Sequence, residues 1–260
     1  MDYRTIRVEE QGGLCRVTLA RPEVMNALSS RMREELLHAV TEAGTRARAR
    51  ALVLTGEGRG FCSGQDLGDA RALGVPDFER ILREEYEPLL RAIAHCPLPT
   101  LAAVNGVAAG AGANLALACD VVIAAESAGF IQAFTRIGLI PDAGGTWTLP
   151  RQIGLARAMG ATLFADRISA ADAARWGMIY EAVPDEAFEA RWKARATHLA
   201  EGPTEAYRGL KQALRASFDN SFEEQLALEA RLQGQCGASA DFLEGVTAFL
   251  EKRPATFSGR

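Results

Sequence analysis

Thr100-Leu101-Ala102-Ala103-Val104-Asn105-Gly106-Val107-Ala108-Ala109-Gly110-Ala111-Gly112-Ala113-Asn114-Leu115-Ala116-Leu117-Ala118-Cys119-Asp120-Val121-Val122-Ile123-Ala124 is the stretch that decides the fold. From Pro97 to Cys119 no residue is charged, a length that also suits a membrane span. Alanine dominates the run, however, and Asn105, Asn114 and glycines 106, 110 and 112 interrupt it, so its hydrophobicity is weak for lipid. Thr100–Val104 reads instead as a buried strand, Gly106–Asn114 as a glycine loop, Leu115–Cys119 as a buried helix and Val121–Ala124 as the next strand.

Short apolar strands and helices alternate on either side. Leu14–Leu19 and Ala51–Thr55 read as strands, the second closed by Gly56, and Met178–Val183 as a last short one. Phe78, Leu82, Tyr86, Leu89 and Ile93 recur at helical spacing, with Pro88 expected to kink or split that helix. Ser169-Ala170-Ala171-Asp172 starts a helix that Gly177 ends. Beyond about residue 200 the strands stop and three helical stretches follow, one opened by the capping box Ser221-Phe222-Glu223-Glu224. The last carries Phe242, Leu243, Val246, Phe249 and Leu250 on one face. The pattern predicts an α/β body over residues 1–200 and a helical tail over 201–260, with no low-complexity linker between them.

Composition narrows the function classes. The 260 residues are 48% apolar and 24% charged, as in a globular enzyme, and carry a formal net charge of −4. There is no basic stripe with interleaved aromatics, so nucleic acid is not an expected partner, and Arg46–Arg50 reads as a solvated helix end. Five cysteines, odd in number and without a C-x-x-C pair, fit free thiols better than zinc or a disulfide framework. The start, Met1-Asp2-Tyr3-Arg4, carries no apolar signal segment, and a cytoplasmic protein is expected.

Glycine clusters follow two of the strands, at Gly56–Leu67 and Asn105–Leu115. After Gly110 and Gly112 the next glycine of a dinucleotide fingerprint is replaced by Leu115, and no lysine follows a glycine as a phosphate loop needs. The loops can still present main-chain amides, with the Gly110–Asn114 segment at a helix entry where a negative oxygen is favoured. Two such donors would stabilise an enolate oxygen by roughly 3 kcal/mol each. Packing alone explains the glycines equally well. A third segment, Gly138–Trp147, holds Asp142 between Pro141 and Ala143. Asp142 is either a turn or N-cap residue, or a carboxylate desolvated among Leu139, Ile140 and Trp147 and poised to exchange a proton near neutral pH. The three histidines, 38, 95 and 198, lie away from these loops, and Ser63 does not form a G-x-S-x-G elbow.

Taken together, Leu19–Leu28, the three glycine segments and Glu244–Arg253 resemble, in order and over essentially the whole chain, the crotonase (enoyl-CoA hydratase/isomerase) superfamily. The resemblance implies a spiral of ββα units with a C-terminal helical trimerisation region, assembled as a homotrimer or a dimer of trimers. It also implies an acyl-CoA substrate and no separate cofactor or metal, coenzyme A being part of the substrate. By resemblance the Gln65 and Ala111 amides form an oxyanion hole, the run Gln65, Asp66, Leu67 and Gly68 lines the coenzyme A arm, and Phe249 with Lys252 approaches its adenine and phosphate end.

Two departures are informative. The positions of the two glutamates used by hydratases of the superfamily hold Asn114 and Phe134, neither of which can exchange a proton, while Asp142 replaces a small residue before Ala143-Gly144-Gly145. That substitution, with Gly64-Gln65-Asp66-Leu67, resembles the phenylacetate-pathway isomerases that convert a ring epoxide to an oxepin. Related enzymes with one acidic residue shift an enoyl double bond from position 3 to 2. The sequence therefore leads to a proton-shuttling isomerase with Asp142 as its acid–base group, with residues 71–77 expected to shape the acyl pocket. A hydratase, a dehalogenase or ring-forming synthase, and a non-catalytic acyl-CoA binder are the rival readings.

Overall fold

The computed structural model describes residues 1–46, 48–68 and 77–260; of the segment expected to shape the acyl pocket, residues 71–76 lie outside the described residues. Strands β1 (Ile6–Gln11), β2 (Leu14–Leu19), β3 (Ala51–Gly56), β5 (Thr100–Val104), β7 (Val121–Ala125) and β10 (Glu181–Val183) form one sheet in that spatial order. Only the β1–β2 hairpin is antiparallel; the other pairings are parallel. A smaller sheet stacks β4 (Gly60–Cys62), β6 (Val107–Ala109), β8 (Gly129–Ile131) and β9 (Ile168–Ser169) in order.

The two sheets expose a repeat that hydropathy alone does not. In each of β3/β4, β5/β6 and β7/β8 the first strand joins the large sheet and the second the small one, before the chain turns into a helix. The second strands are three residues long, too short to print a period-two pattern. The first strands are apolar on both faces because helices cover the parallel sheet, and β5 is buried at every position. This is the crotonase spiral of ββα units.

The helices are α1 (Ser30–Thr45), α2 (Phe78–Ile81), α3 (Glu87–Ala94), α4 (Ala111–Leu117), α5 (Gly145–Leu163, broken at Gly154), α6 (Ala170–Trp176) and α7 (Asp185–Glu201). The tail adds α8 (Thr204–Ala216), α9 (Phe222–Gly237) and α10 (Ala240–Glu251). Pro88 does not split its helix. A π turn, Leu82–Tyr86, joins α2 to α3, with Pro88 in the first turn of α3 where its missing N–H matters least. Ser169 and Gly177 cap α6 as expected, and Ser221 and Glu224 form the capping box of α9. The last strand is shorter than expected, Met178–Tyr180 forming the turn before it. Among the described residues no helix is long and apolar enough to cross a membrane.

Half-buried charges attach the outer elements to this frame. Asp120, between α4 and β7, binds Lys211 at 2.6 Å and Arg215 at 2.8 Å and so fixes α8 to the body. The expected solvated basic helix end holds at Arg46, the exposed C-cap of α1, but not at Arg50, which donates to the carbonyls of Phe257 and Gly202 and to the Thr204 hydroxyl, holding the C-terminal tail. The apolar face of α10 has no such cover. Phe242, Leu243, Val246, Phe249 and Leu250 are exposed, and Phe242, Val246, Phe249 and Leu250 border a groove of about 1240 Å³ between α8, α9 and α10.

At the other end of the chain, fully buried Glu35 accepts hydrogen bonds from the Arg4 and Thr5 amides and the Thr5 hydroxyl, and pairs with Arg31 at 2.6 Å. Burial alone would raise its pKa, but these donors prevail and hold it at about 2. Replacing Glu35 with Gln is expected to lower the unfolding free energy by about 3 kcal/mol in urea titrations at pH 7. Because folding depresses this pKa, the wild-type contribution is present above pH 4.5 and disappears as pH falls towards 2, so the difference from Glu35→Gln should shrink over that range.

Candidate active site

The site begins where β4 and β6 end. These strands are parallel neighbours, so the segments leaving them, Ser63–Gln65 and Gly110–Ala111, emerge side by side. Contact is close because Gly64 lacks a side chain. At φ +96° a Cβ there would stand 2.8 Å from the Ala109 carbonyl and 3.5 Å from the Ala111 nitrogen. Leu28 grips both sides of Gln65, its N–H donating to the Gly64 carbonyl and its carbonyl accepting from the Asp66 N–H. In such a bridge the groups of the middle residue face the opposite way. The Gln65 amide therefore has no partner among the described residues, and neither has the Ala111 amide in the first turn of α4. Two free, adjacent N–H groups can hold one oxygen that gains negative charge.

The acid comes from the loop between β8 and α5. Ala143 and Gly144 both adopt left-handed backbone, φ +48° and +81°, and turn the chain sharply after Asp142. The Asp142 carbonyl accepts from the Gly145 N–H at 2.9 Å and from Asn114 Nδ2 at 2.8 Å. Asn114, buried on α4, is in turn held by Gln132 Nε2 at 2.9 Å. Gly145 is obligatory, since a Cβ there would lie 2.4 Å from Asn114 Nδ2. Asn114 is thus committed to bracing the Asp142 loop. The Asp142 carboxyl receives no comparable help: Oδ1 is buried without a hydrogen-bond partner among the described residues, and burial pushes the pKa up to about 6.

Gln65, Leu67, Ala111 and Asp142 line one cavity of about 230 Å³. Its walls are Phe78, Ile81, Leu82 and Tyr86 on one side and Phe134, Ile137 and Leu139 on the other. The helical period read from the sequence divides accordingly, with Phe78, Leu82 and Tyr86 on the cavity and Leu89 and Ile93 in the core. Asp66 and Gly68 stand beside the cavity without lining it. The Asp66 carboxylate binds Arg21 at 2.8 Å and accepts from the Gly68 amide, which fixes the loop. Phe249 and Lys252 are elsewhere: Phe249 borders the tail groove, and Lys252 caps α10 in left-handed backbone. One chain does not bring them to Asp142.

Sequence reading missed Arg33, Glu85 and the hydroxyl of Tyr86. Arg33, 1% exposed, donates to Gln65 Oε1 at 2.9 Å and to Glu85 at 2.6 Å, and the Tyr86 hydroxyl donates to the same Oε1 at 2.6 Å. No signal marks Arg33 among the other charges of α1, and Tyr86 reads only as an apolar helix position.

The profile of the family described as enoyl-CoA hydratase/isomerase matches residues 9–260, and the chain belongs to that family. Its activity is therefore acyl-CoA processing of the enoyl-CoA hydratase/isomerase kind. Over the full length of both chains it is 66% identical to a Rhodobacter capsulatus protein named "probable enoyl-CoA hydratase" and 45% identical to the 1,2-epoxyphenylacetyl-CoA isomerase of Escherichia coli. The crystal structure of an enoyl-CoA hydratase from Bacillus anthracis, 32% identical, superposes with a TM-score of 0.92 and covers 99% of this chain and 100% of its own.

Folding raises the Asp142 pKa, so the folded chain holds this proton more tightly than the unfolded one between about pH 4 and 6. The stability this group confers is present below about pH 4 and is lost as pH rises through 6. Asp142→Asn is therefore expected to stabilise the protein at pH 8 by about 1–2 kcal/mol, less than the roughly 3 kcal/mol of two full pKa units because some water reaches the group. The gain should vanish near pH 4, as thermal denaturation at the two pH values would report.

Proposed function

We propose that the protein is an acyl-CoA isomerase in which one carboxylate acts twice. Asp142 takes a proton from the carbon alpha to the thioester, the Gln65 and Ala111 amides hold the enolate oxygen, and the carboxylic acid returns the proton at another carbon. The observation that carries this reading is a single half-buried carboxyl, its Oδ1 unpaired among the described residues, lining a cavity with two free amides, while the two hydratase glutamate positions hold a loop-bracing Asn114 and the apolar Phe134. Hydration needs one group to activate water and another to protonate carbon, and the described residues lining the cavity include only one carboxyl.

The preferred substrate is a ring-1,2-epoxyphenylacetyl-CoA, with 3-enoyl-CoA to 2-enoyl-CoA isomerisation as the simpler reaction of the same site. Support comes from the aromatic and aliphatic walls and from the Escherichia coli relative that bears the epoxide isomerase name. In the epoxide, the proton leaving the alpha carbon returns to a ring carbon and the oxygen stays in the enlarged ring, so composition is unchanged. The thioester acidifies the alpha carbon, and the reaction draws on no further cofactor. The hydratase reading rests on the name of the Rhodobacter capsulatus relative.

For coenzyme A, the run Gln65–Gly68 follows the pantetheine arm. Phe249 and Lys252 serve the adenine and phosphate end from a neighbouring copy, in a trimer or dimer of trimers closed over the exposed apolar face of the tail helices. Residues 1–200 form the catalytic body and 201–260 the oligomerisation region. Five free cysteines, four of them buried, suit a cytoplasmic enzyme.

Purified protein given a 3-enoyl-CoA should form the conjugated 2-enoyl-CoA, followed by absorbance, and Asp142→Asn should reduce the rate by at least about 100-fold. Retention within tenfold rules out Asp142 as the base, and rapid hydration of crotonyl-CoA would favour a hydratase. Since the base must be ionised, kcat/KM should climb as pH rises through about 6 and level off above it.

A further inference from the structure

Every N–H of the buried Arg33 guanidinium has an acceptor. Nε and Nη2 meet Glu85 Oε2 at 3.0 and 2.6 Å, Nη2 also meets the Ser30 hydroxyl, and Nη1 reaches the Leu28 carbonyl and Gln65 Oε1. The guanidinium also lies 4.7 Å from the centroid of the Tyr86 ring. A buried ion pair is weak grounds for stability, because desolvation offsets the attraction. What this one supplies is orientation. Arg33 can only donate, so the carboxamide oxygen of Gln65 must face it, and the Tyr86 hydroxyl donates to that same oxygen. Burial keeps the phenol protonated.

The other end of that carboxamide is then determined. Gln65 Nε2 has no hydrogen-bond partner among the described residues and is not sealed from solvent, and Gln65 lines the cavity. Of the cavity's lining side chains, Phe78, Leu82, Phe134, Ile137 and Leu139 carry no hydrogen-bond acceptor, and the two besides Tyr86 that can accept, Ser63 and Asp142, are not bonded to it.

We propose that the side-chain N–H₂ of Gln65 is a specificity donor to an oxygen carried by the acyl group, held in that orientation by Arg33 and Tyr86 as positioning residues. This role is separate from that of the Gln65 main-chain amide, and it rests on the reading of the cavity as the acyl site. An oxygen-bearing ring satisfies the donor. A hydrocarbon ring of equal size leaves it buried and unpaired, the arrangement by which polar sites discriminate most strongly.

The test uses binding rather than turnover, so that it stands apart from the isomerase assignment. Two saturated thioesters with no double bond to shift and no oxygen beta to the carbonyl, (tetrahydropyran-3-yl)acetyl-CoA and cyclohexylacetyl-CoA, differ by one ring oxygen in place of a methylene. Titration calorimetry on the wild-type protein should show the oxygen ring bound at least tenfold tighter. Gln65→Met, of equal length but without the donor, should bring the two affinities within about twofold. Tyr86→Phe, which keeps the cavity wall but removes one of the two donors that hold the carboxamide oxygen, should reduce the preference at least threefold. A wild-type preference below threefold, or one that either substitution leaves intact, overturns the proposal. A preference found in a protein without isomerase activity would uphold it while removing the catalytic reading.

Discussion

The hydrogen bond from Asn114 Nδ2 to the Asp142 carbonyl joins two elements that must keep their distance constant. One is α4, whose first turn presents the Ala111 amide; the other is the loop that carries the carboxyl. Neither would be fixed by its own structure, since α4 spans two turns and the loop runs through two consecutive left-handed residues. Asn114 is gripped from behind by Gln132, at the end of β8, so the small sheet, the amide helix and the acid loop form one rigid unit. The glycine at 145 is the complement of this bond, because any side chain there would occupy the space of the Asn114 amide.

A second brace, built on Arg33, acts on the opposite wall. It links α1, the Leu28–Gln65 bridge and the π turn before α3. The two braces use different chemistry: neutral amides beside the acid, and a saturated ion pair beside the amide of Gln65. Keeping charge away from Asp142 matters. A cation in contact with that carboxyl would favour its ionised form and lower the pKa that burial raises to about 6.

Much of this was legible before the fold was known, and the exceptions have physical reasons. Strands β3, β5 and β7 of the large sheet are largely continuous apolar runs and stood out; β1, mostly polar and exposed, and the second strand of each unit, three residues long, did not. Asp142 stood out as an acid among small and apolar residues, but the burial of its Oδ1 and the lack of a hydrogen-bond partner for it among the described residues depend on tertiary contacts that no local pattern encodes. Asn114 was visible as a departure from the hydratase pattern, whereas its bracing of the acid loop depends on a contact across 28 positions that no local pattern encodes. Arg33 lay hidden among other charges of an amphipathic helix. Arg50 was misread as solvent-facing because its acceptors belong to the far end of the chain.

The isolation of Asp142 Oδ1 bears on the fate of individual hydrogen atoms. Among the described residues neither a side chain nor a main-chain group bonds to this oxygen. On the isomerase reading proposed above, a proton lifted onto this carboxyl from a bound thioester meets no hydrogen-bonded relay among the described residues. The same hydrogen would then go back to the substrate at its new position. Deuterium placed on the alpha carbon would travel with the acyl group from one carbon to another, with little of it passing to solvent.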